Sequence, residues 1–314
     1  METLKTILKG FDLNAFFKDH WTRNVLHVKG NSSDYNRLFN WEEFNSVVNY
    51  RDLAPHIKFS LNGKVLSPKE LTSKLTRNGS LSLDDTIILD LVHRGSTVIL
   101  QAIHKIHPHL NTFVNNLSDE FGESVEINAY CSYPGKRGFD KHTDAHEVFI
   151  LQVEGSKQWE IYDIENIFPI ENQLGSSIEN KEYNCKIYKL EKGDVLYVPR
   201  GVWHSAFADN TTSLHLTVSI RCRTKLFVLN HLYSHLLENI NIRKNLNSSI
   251  EAKTFSGYKK EDIKDALEQL RQITEGYLLD IDSFTNDYNK KCTAAKATKV
   301  LLKFPYDQIQ KDEF

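Results

Sequence analysis

Cysteine is scarce in this sequence. Four cysteines are spread over 314 residues, and none of them forms a CxxC pair. This density excludes a disulfide framework of the secreted type and favours a reduced compartment. Since the four cysteines also lack the spacing of metal ligands, we predict that they are structural or incidental.

Long apolar runs are lacking too. No stretch approaches the ~18 uninterrupted apolar residues that a membrane-spanning helix needs. The first 21 residues contain neither a continuous apolar segment nor the small-residue cleavage site of a signal peptide. We therefore expect a soluble, cytoplasmic protein with no membrane partner.

An excess of basic charge is also absent. The formal net charge is −2, with both signs spread along the chain, whereas sequence-independent nucleic-acid binding needs a basic footprint. A nucleic-acid partner is therefore disfavoured, although a local basic groove is compatible with this charge. Apolar residues make up 40% of the chain, which is enough to build a sizeable core in one large domain or two smaller ones.

The N-terminal part of the chain mixes helix and strand patterns. Apolar residues recur at helical spacing in the first 21 residues, with an interruption at Gly10. Residues 24–30 are typical of a strand, and a helix is predicted from about Asn40. Residues 97–121 have an amphipathic helical period with room for a break near Pro108.

The pattern changes near residue 125 and again near 225. Between these points, short segments rich in β-branched and aromatic residues alternate with turn residues, which predicts an antiparallel sandwich or barrel. Helical spacing returns afterwards. The predicted fold is therefore mainly β with flanking helices, with one domain at 1–225 and a helical region at 226–314.

Two histidines and an aspartate are candidate metal ligands. If His142 and Asp144 lie on one strand, its two-residue period puts both side chains on one face. His204, after the glycine and proline residues of "GDVLYVPRGVWH", is positioned to project into the mouth of a barrel. Two histidines and one carboxylate are typical of non-haem Fe(II) oxygenases, and zinc accepts the same ligands.

Two segments resemble cupin motifs. "GDVLYVPRGVWH", residues 193–204, looks like the second cupin motif, G-x5-P-x-G-x2-H. "HTDAHEVFILQVEGSKQW", residues 142–159, is similar to the first motif of Jumonji-C oxygenases, with HxD in place of HxH. The resemblance covers roughly residues 95–225 and is to the cupin-like group that includes the ribosomal oxygenases. It implies a double-stranded β-helix, Fe(II) and 2-oxoglutarate, and hydroxylation of protein side chains.

The same resemblance implies a role for individual residues. His142, Asp144 and His204 match the iron ligands, and Lys157 matches a lysine that pairs with the distal carboxylate of 2-oxoglutarate. A buried cation suits a dianionic cosubstrate, although an exposed turn is the alternative setting for Lys157. Further residues expected near the cosubstrate are Asn128, Tyr130, His215 and Ser219. For each of these, bonding or packing within a sheet is the alternative.

Other residues near the motifs are expected to have lesser roles. His146 lies four residues after His142, and we favour a position at the site rim or one turned away from it. Glu147 is not expected to bind the metal, and Trp203 is expected to pack beside the site. A second metal site at His104 and His107 is disfavoured, since no carboxylate lies close to them in sequence.

The substrate is expected to be a protein or peptide. A modified RNA base, a small metabolite, or a role as a metal-binding scaffold without redox activity are the alternatives. Near-neutral charge disfavours RNA, and Lys157 disfavours a scaffold, which needs no carboxylate anchor. Residues 130–141 form a basic and aromatic segment that we interpret as a flexible loop able to contact a substrate chain, or else as an ordinary surface hairpin.

The C-terminal helical region has an apolar stripe. It comprises Leu226, Leu229, Tyr233, Leu236, Leu237 and Ile240. The resemblance implies that this region forms a homodimer, while packing against the barrel is the alternative. About thirty residues follow Phe284, so we expect at most a truncated winged-helix-like end, and a smaller or more specialised peptide substrate becomes plausible.

Overall fold

A computed structural model describes residues 1–32, 35, 37–49, 56–71, 74–75, 81–165, 167–174, 183–251 and 254–294. The chain divides into two compact units, Met1–Cys222 and Arg223–Phe314. The expected winged-helix-like end lies outside the described residues beyond position 294. Within the described ranges, no helix combines the length and the apolar character needed to cross a membrane.

Helices of the first unit precede and separate its early strands. They are α1 (Glu2–Ile7), α2 (Leu13–Ala15), α3 (Trp41–Asn49), α4 (Pro68–Leu71), α5 (Asp85–His93) and α6 (Pro108–Phe121). A π-helical turn at Phe16–His20 follows α2, and 3-10 helices lie at Ile103–Lys105 and Glu171–Gln173.

Strands of the first unit form most of its second half. They are β1 (Leu26–Val28), β2 (Ile57–Leu61), β3 (Lys64–Val65), β4 (Lys74–Leu75), β5 (Leu81–Ser82), β6 (Thr97–Leu100), β7 (Ser124–Ser132), β8 (Glu147–Glu154), β9 (Ser156–Glu165), β10 (Cys185–Glu191), β11 (Val195–Val198), β12 (Val202–Ala208) and β13 (Ser213–Arg221).

Two antiparallel sheets form the β core. The larger has eight strands in the order β1-β11-β8-β13-β7-β6-β2-β3, and the smaller has the order β10-β9-β12. After β8 the chain passes to the smaller sheet, returns at β11, leaves again at β12 and returns at β13. This alternation between two sheets is that of a double-stranded β-helix, and it confirms the predicted mainly β fold with flanking helices.

Both faces of β8 are covered, which explains its continuous apolar sequence. Phe149 and Leu151 belong to a core cluster that includes residues of α1, α3, α5 and α6. Val148 and Ile150 belong to a second cluster, with Trp159 and other residues of the smaller sheet. The first unit is thus layered, with helices against one face of the large sheet and the small sheet against the other.

Residues 97–121 are not one interrupted helix, as the sequence period suggested. Thr97–Leu100 is strand β6, which pairs with β2 and β7. Ala102 then adopts a left-handed φ of 51°, so the helical pattern cannot continue through it. The tertiary pairing of β6 overrides the local period, and a regular helix begins only at Pro108.

The histidines at 104 and 107 serve local structure. His104 is buried, and its Nδ1 accepts a hydrogen bond from the backbone N–H of Ile127 at 3.2 Å. The Nδ1 of His107 caps α6 by accepting from the N–H of Leu110, and its Nε2 lies 3.2 Å from Glu43. Both histidines are therefore engaged in contacts within the first unit.

The second unit is mainly helical. It contains α7 (Lys225–Leu236), β14 (Ser248–Glu251), β15 (Thr254–Tyr258), α8 (Lys260–Leu279) and α9 (Ile281–Ala294). Thr224 caps α7, because its side chain accepts a hydrogen bond from the N–H of Leu226.

Candidate metal centre

The loop before β8 carries two of the three candidate ligands. His142 and Asp144 do not share a regular strand, as the sequence analysis assumed, because β8 begins only at Glu147. Instead His142 forms an isolated bridge with His204, the third residue of β12, through reciprocal N–H···O bonds of 3.1 and 3.0 Å. The loop is therefore placed by pairing with β12.

A glycine turn before β12 holds the backbone of this loop at Asp144. Gly201 has a φ of 87°, which favours glycine, and its N–H donates to the carbonyl oxygen of Asp144 at 3.0 Å. The turn from Pro199 to Gly201 thus starts β12 and holds the Asp144 backbone. The glycine and proline pattern in the sequence corresponds to this turn.

The three candidate side chains converge on one point. One ligand atom from each of His142, Asp144 and His204 lies within 4.8 Å of the other two. The Nε2 of His204 is 3.5 Å from the Oδ2 of Asp144, and the two imidazole centroids are 4.4 Å apart. This separation can accommodate a metal ion.

Backbone carbonyls orient both imidazoles. The Nδ1 of His142 lies 2.8 Å from the carbonyl oxygen of Asp140, and the Nδ1 of His204 lies 3.0 Å from that of Val202. Since a carbonyl only accepts, each Nδ1 carries the proton and donates it. Each Nε2 is left with a lone pair, which is the arrangement of metal-binding histidines.

The charges of the cluster suit a cation. Burial by itself would raise the pKa of Asp144, but the imidazoles of His146, His204 and His142 outweigh it, so the pKa is lowered. Burial, reinforced by His142, lowers the pKa of His204. At neutral pH the carboxylate is therefore ionised and His204 is neutral, as metal binding requires.

His146 and Glu147 have separate places. His146 lies in the bend before β8 and lines the same cavity, but it is not part of the three-residue group. Glu147 is buried, and its Oε2 accepts hydrogen bonds from the hydroxyl of Tyr197 and the N–H of Arg200. The carboxylate of Glu147 is therefore engaged within the protein.

A cavity of about 300 Å³ opens beside the three candidate ligands. Much of its wall comes from alternate residues of β7 and β13, whose other residues enter the apolar core. The predicted residues Asn128, Tyr130, His215 and Ser219 are all on this wall. Of the tryptophans within the described ranges, Trp159 rather than Trp203 lines the cavity.

The sequence analysis missed several lining residues that the same alternation could have found. Glu126 shares the face of Asn128 on β7, and Thr217 and Arg221 share the face of His215 on β13. Trp159 follows Lys157 by two positions on β9. Strand alternation could not have predicted Gln101 as a lining residue, because the segment around it was interpreted as helical.

Lys157 is a buried cation inside the cavity. Its residue is 4% exposed, which excludes the exposed-turn alternative, and its Nζ donates to the Oγ of Ser132 at 3.0 Å. That oxygen lies 3.1 Å from the Oγ1 of Thr97. Burial lowers the pKa of Lys157 to about 7. Within the described residues no carboxylate pairs with this ammonium group.

Neutral side chains from β7 and β13 also line the cavity. The Oδ1 of Asn128 accepts from the N–H of Ala102 at 2.8 Å, and its Nδ2 lies 3.5 Å from the hydroxyl of Tyr130. Tyr130 stacks on His215 with centroids 5.0 Å apart. Burial raises the pKa of Tyr130 to about 12 and lowers that of His215 well below its usual value. Of Lys157, Asn128, Tyr130 and His215, Lys157 is thus the side chain that can carry a positive charge.

The loop after β7 is anchored and does not form a free hairpin. Arg137 donates two hydrogen bonds to Glu160 on β9, at 2.7 and 2.9 Å, and one to Ser205 on β12. Gly135 donates to the carbonyl of Ala208 at 2.9 Å. The predicted flexible segment is therefore tied to the smaller sheet over its middle residues, and Phe139 and Gly138 reach the cavity.

We expect Glu160→Gln to destabilise the protein in a pH-dependent way. Hydrogen bonds from Arg137, Ser205 and Tyr162 outweigh burial and lower the pKa of Glu160 to about 2. After discounting for the exposure of Arg137, the loss is about 1–2 kcal/mol at neutral pH. Since the native pKa lies below the unfolded one, the difference from wild type should persist above about pH 4.5 and vanish towards pH 2. Urea unfolding across this range measures it.

A matched control for that experiment is Glu42→Gln, on the exposed surface of α3. It should leave the free energy of unfolding unchanged at every pH. A constant difference between wild type and Glu160→Gln down to pH 2 would contradict the assignment of the ion pair.

Comparison with known proteins agrees with this geometry. Residues 102–226 match the JmjC domain family. This range of the sequence is similar to a JmjC domain. It begins just before the 3-10 helix that precedes α6 and ends at the start of α7, so it contains all three candidate ligands and Lys157.

Curated relatives match a larger share of the chain than residues 102–226. The bifunctional lysine-specific demethylase and histidyl-hydroxylase NO66 of Brugia malayi is 29% identical over 266 residues, which are 78% of this chain and 36% of that protein. Ribosomal oxygenase 1 of Gallus gallus is 30% identical over 209 residues, 65% of this chain and 34% of that protein. This chain thus spans about a third of the length of these relatives.

A solved structure shares the fold. YcfD, a ribosomal oxygenase from Escherichia coli in complex with cobalt and 2-oxoglutarate, has a TM-score of 0.56 and 14% sequence identity. The match covers 96% of this chain and 76% of that chain. At this identity the similarity is evidence of the fold alone.

Proposed function

We propose that this chain is an Fe(II)- and 2-oxoglutarate-dependent oxygenase that hydroxylates a side chain of a protein or peptide. One observation carries the proposal: His142, Asp144 and His204 converge beside a cavity that also holds the buried ammonium group of Lys157. A structural metal site has no use for such a cation. A site for a dianionic cosubstrate requires it.

The donor set fits iron. His142 and His204 each direct an Nε2 lone pair towards the shared point, and Asp144 adds one negative charge. Two imidazoles and a carboxylate leave open positions in the coordination sphere of Fe(II). The iron, when bound, would supply the oxidative chemistry that couples 2-oxoglutarate decarboxylation to hydroxylation of a C–H bond.

The chain's own residues would bind and orient the cosubstrate. Lys157 would pair with the carboxylate farthest from the metal, and the Oγ of Ser132 holds its ammonium in place. The stacked rings of Tyr130 and His215 would confine the carbon chain from one side. Burial of these groups excludes water, and low polarity around an ion pair strengthens it.

The names of the relatives support a polypeptide substrate. The Brugia protein is named as a histidyl-hydroxylase and lysine demethylase, and the Gallus protein as a ribosomal oxygenase. We propose hydroxylation of a protein side chain on this basis. Arg221, Glu126 and Phe139, which lie on the cavity wall, would contact that substrate.

Turnover and product analysis test the proposal. The purified chain, supplied with Fe(II), ascorbate and 2-oxoglutarate in air, should form succinate, and extract peptides should increase its rate. Mass spectrometry should find peptides that gain one oxygen atom in the presence of the chain. Absence of succinate above an iron-only control would refute the oxygenase assignment, and oxidation of RNA but not of peptides would refute the substrate class.

We also propose a homodimer through the second unit. Five members of the predicted stripe are exposed, four of them in α7 or at its C-cap and Ile240 beyond its end, whereas Leu236 is partly buried. An exposed apolar helix face of this kind suits a self-complementary interface.

We expect Leu229→Glu to convert a dimer into a monomer in light scattering after gel filtration. Leu89→Glu, at an equally exposed leucine of α5, should not, and a monomeric wild type would contradict the proposal.

A further inference from the structure

A second cluster of metal-binding side chains lies within the helical unit. His231 and His235 are four residues apart on α7, so both project from one helix face. Asp287 on α9 meets them. One ligand atom from each of these three residues lies within 4.8 Å of the others. The sequence analysis did not predict this cluster, because its members are far apart in sequence.

The distances match those of a tetrahedral metal site. The Nε2 of His231 is 3.0 Å from the Oδ2 of Asp287, and the Nε2 of His235 is 3.4 Å from the same oxygen. The two Nε2 atoms are 3.4 Å apart. Zinc bonds of about 2.0–2.1 Å in a tetrahedron place the ligand atoms about 3.3–3.4 Å from one another.

Aromatic rings hold the histidines in these positions. Phe284 packs against both imidazoles, with centroids 5.2 Å from His231 and 6.2 Å from His235. Tyr288 contacts His231 and Tyr277 contacts His235, at 5.4 and 5.5 Å. Because the rings fix the rotamers, little side-chain entropy would be lost when a metal binds.

The helical unit has little apolar core of its own. Among the residues of this unit whose burial the structure describes, only His231 is buried. Many leucine and isoleucine side chains of α7 and α8 are exposed. Small units of this kind commonly gain stability from a structural metal. A cross-link between α7 and α9 would join elements that are separated by about fifty residues in sequence.

We propose that His231, His235 and Asp287 bind one divalent transition-metal ion, with zinc as the best fit. Two imidazoles and one carboxylate are zinc ligands, and a water molecule would complete the tetrahedron. His235 and Asp287 also line a cavity, together with Tyr277, Ser283 and Asn286, which would admit this water molecule. The site is separate from the triad of His142, Asp144 and His204, and it does not depend on the proposed oxygenase activity.

Zinc titration of the full chain tests the site. Substitutions in the triad must first abolish zinc binding there, so that only the second site is measured. The wild-type chain, stripped with chelator, should bind two equivalents of Zn²⁺, and the double variant His142→Ala with Asp144→Ala should bind one. In that background, His235→Gln or Asp287→Asn should reduce the remaining equivalent to none at micromolar zinc. Metal analysis after gel filtration gives the stoichiometry.

Two controls separate metal binding from folding. His235 and Asp287 have side chains that are 30% and 57% exposed, so these variants should fold, as circular dichroism will check. Two control substitutions at exposed positions are Asp282→Asn, on α9 like Asp287, and His93→Ala on α5. Each should still bind one equivalent of zinc in the triad-free background. Co²⁺ in the triad-free background should also give the visible absorption of a tetrahedral site.

Zinc should also raise the melting temperature of the triad-free chain, because an ion that binds only the folded state stabilises it. This rise should disappear in Asp287→Asn. If the triad-free chain binds no zinc, or if His235→Gln and Asp287→Asn bind it as tightly as their parent, the inference is wrong.

Discussion

Asp144→Ala is expected to abolish succinate formation. The substitution removes the carboxylate that lies 3.5 Å from the Nε2 of His204, and with it the only negative charge of the three-residue group. Loss of residues that merely orient metal ligands costs about 10–100-fold, so loss of a ligand should lower the turnover rate by more than about a hundredfold. A coupled succinate assay at saturating 2-oxoglutarate measures this.

Two measurements accompany this variant. Asp119→Ala, at an exposed position of α6, should retain wild-type turnover. Fe(II) binding, followed by metal analysis under anaerobic conditions, should fall in Asp144→Ala and stay normal in Asp119→Ala. Turnover of Asp144→Ala within tenfold of wild type would show that the metal is held elsewhere.

Lys157→Met should weaken 2-oxoglutarate binding severely. The substitution preserves much of the side-chain volume but removes the ammonium group, and an anion buried without its partner loses about 2–5 kcal/mol. We expect the KM for 2-oxoglutarate to rise at least about thirtyfold. Lys186→Met, on the exposed face of β10, should leave the KM unchanged.

Although Lys157→Met should weaken cosubstrate binding, it should not destabilise the folded protein. Burial lowers the pKa of Lys157 to about 7 in the folded protein, whereas an unfolded lysine has a pKa of about 10.4. The unfolded chain therefore binds more protons between these values, so the contribution of Lys157 to stability rises with pH across that range. Without cosubstrate, Lys157→Met should be at least as stable as wild type at pH 7.

Urea unfolding at pH 7 and pH 9 measures this effect. The wild type should gain stability relative to Lys157→Met as the pH rises. If the variant were instead much less stable than wild type at pH 7 and bound 2-oxoglutarate normally, Lys157 would be a packing residue. The combination of greater stability and weaker binding is what a residue selected for ligand binding should show.

Much of the β core follows from residue patterns. The alternation in β7 and β13 places their apolar residues in the core, and the residues between them then line the cavity. That rule agrees with the positions of Asn128, Tyr130, His215 and Ser219, which the family resemblance had implied. Applied once more it would have given Glu126, Thr217 and Arg221, which the sequence analysis overlooked.

Other features were not accessible from local patterns. A strand was assumed to align His142 with Asp144, yet a loop paired with β12 does so. Residues 97–100 have a helical period but form β6, because pairing with β2 and β7 satisfies their backbone groups. The ion pair of Arg137 with Glu160 joins residues 23 positions apart and has no local signature.

The sequence by itself determined the β-rich centre, the flanking helices and the identity of the candidate ligands, since strand alternation and motif spacing are local properties of the chain. Only the tertiary structure decided how these ligands meet, that Lys157 is buried, and that His231 and His235 lie against Asp287. Contacts between residues distant in sequence depend on how sheets and helices pack, and no short stretch of sequence specifies that packing.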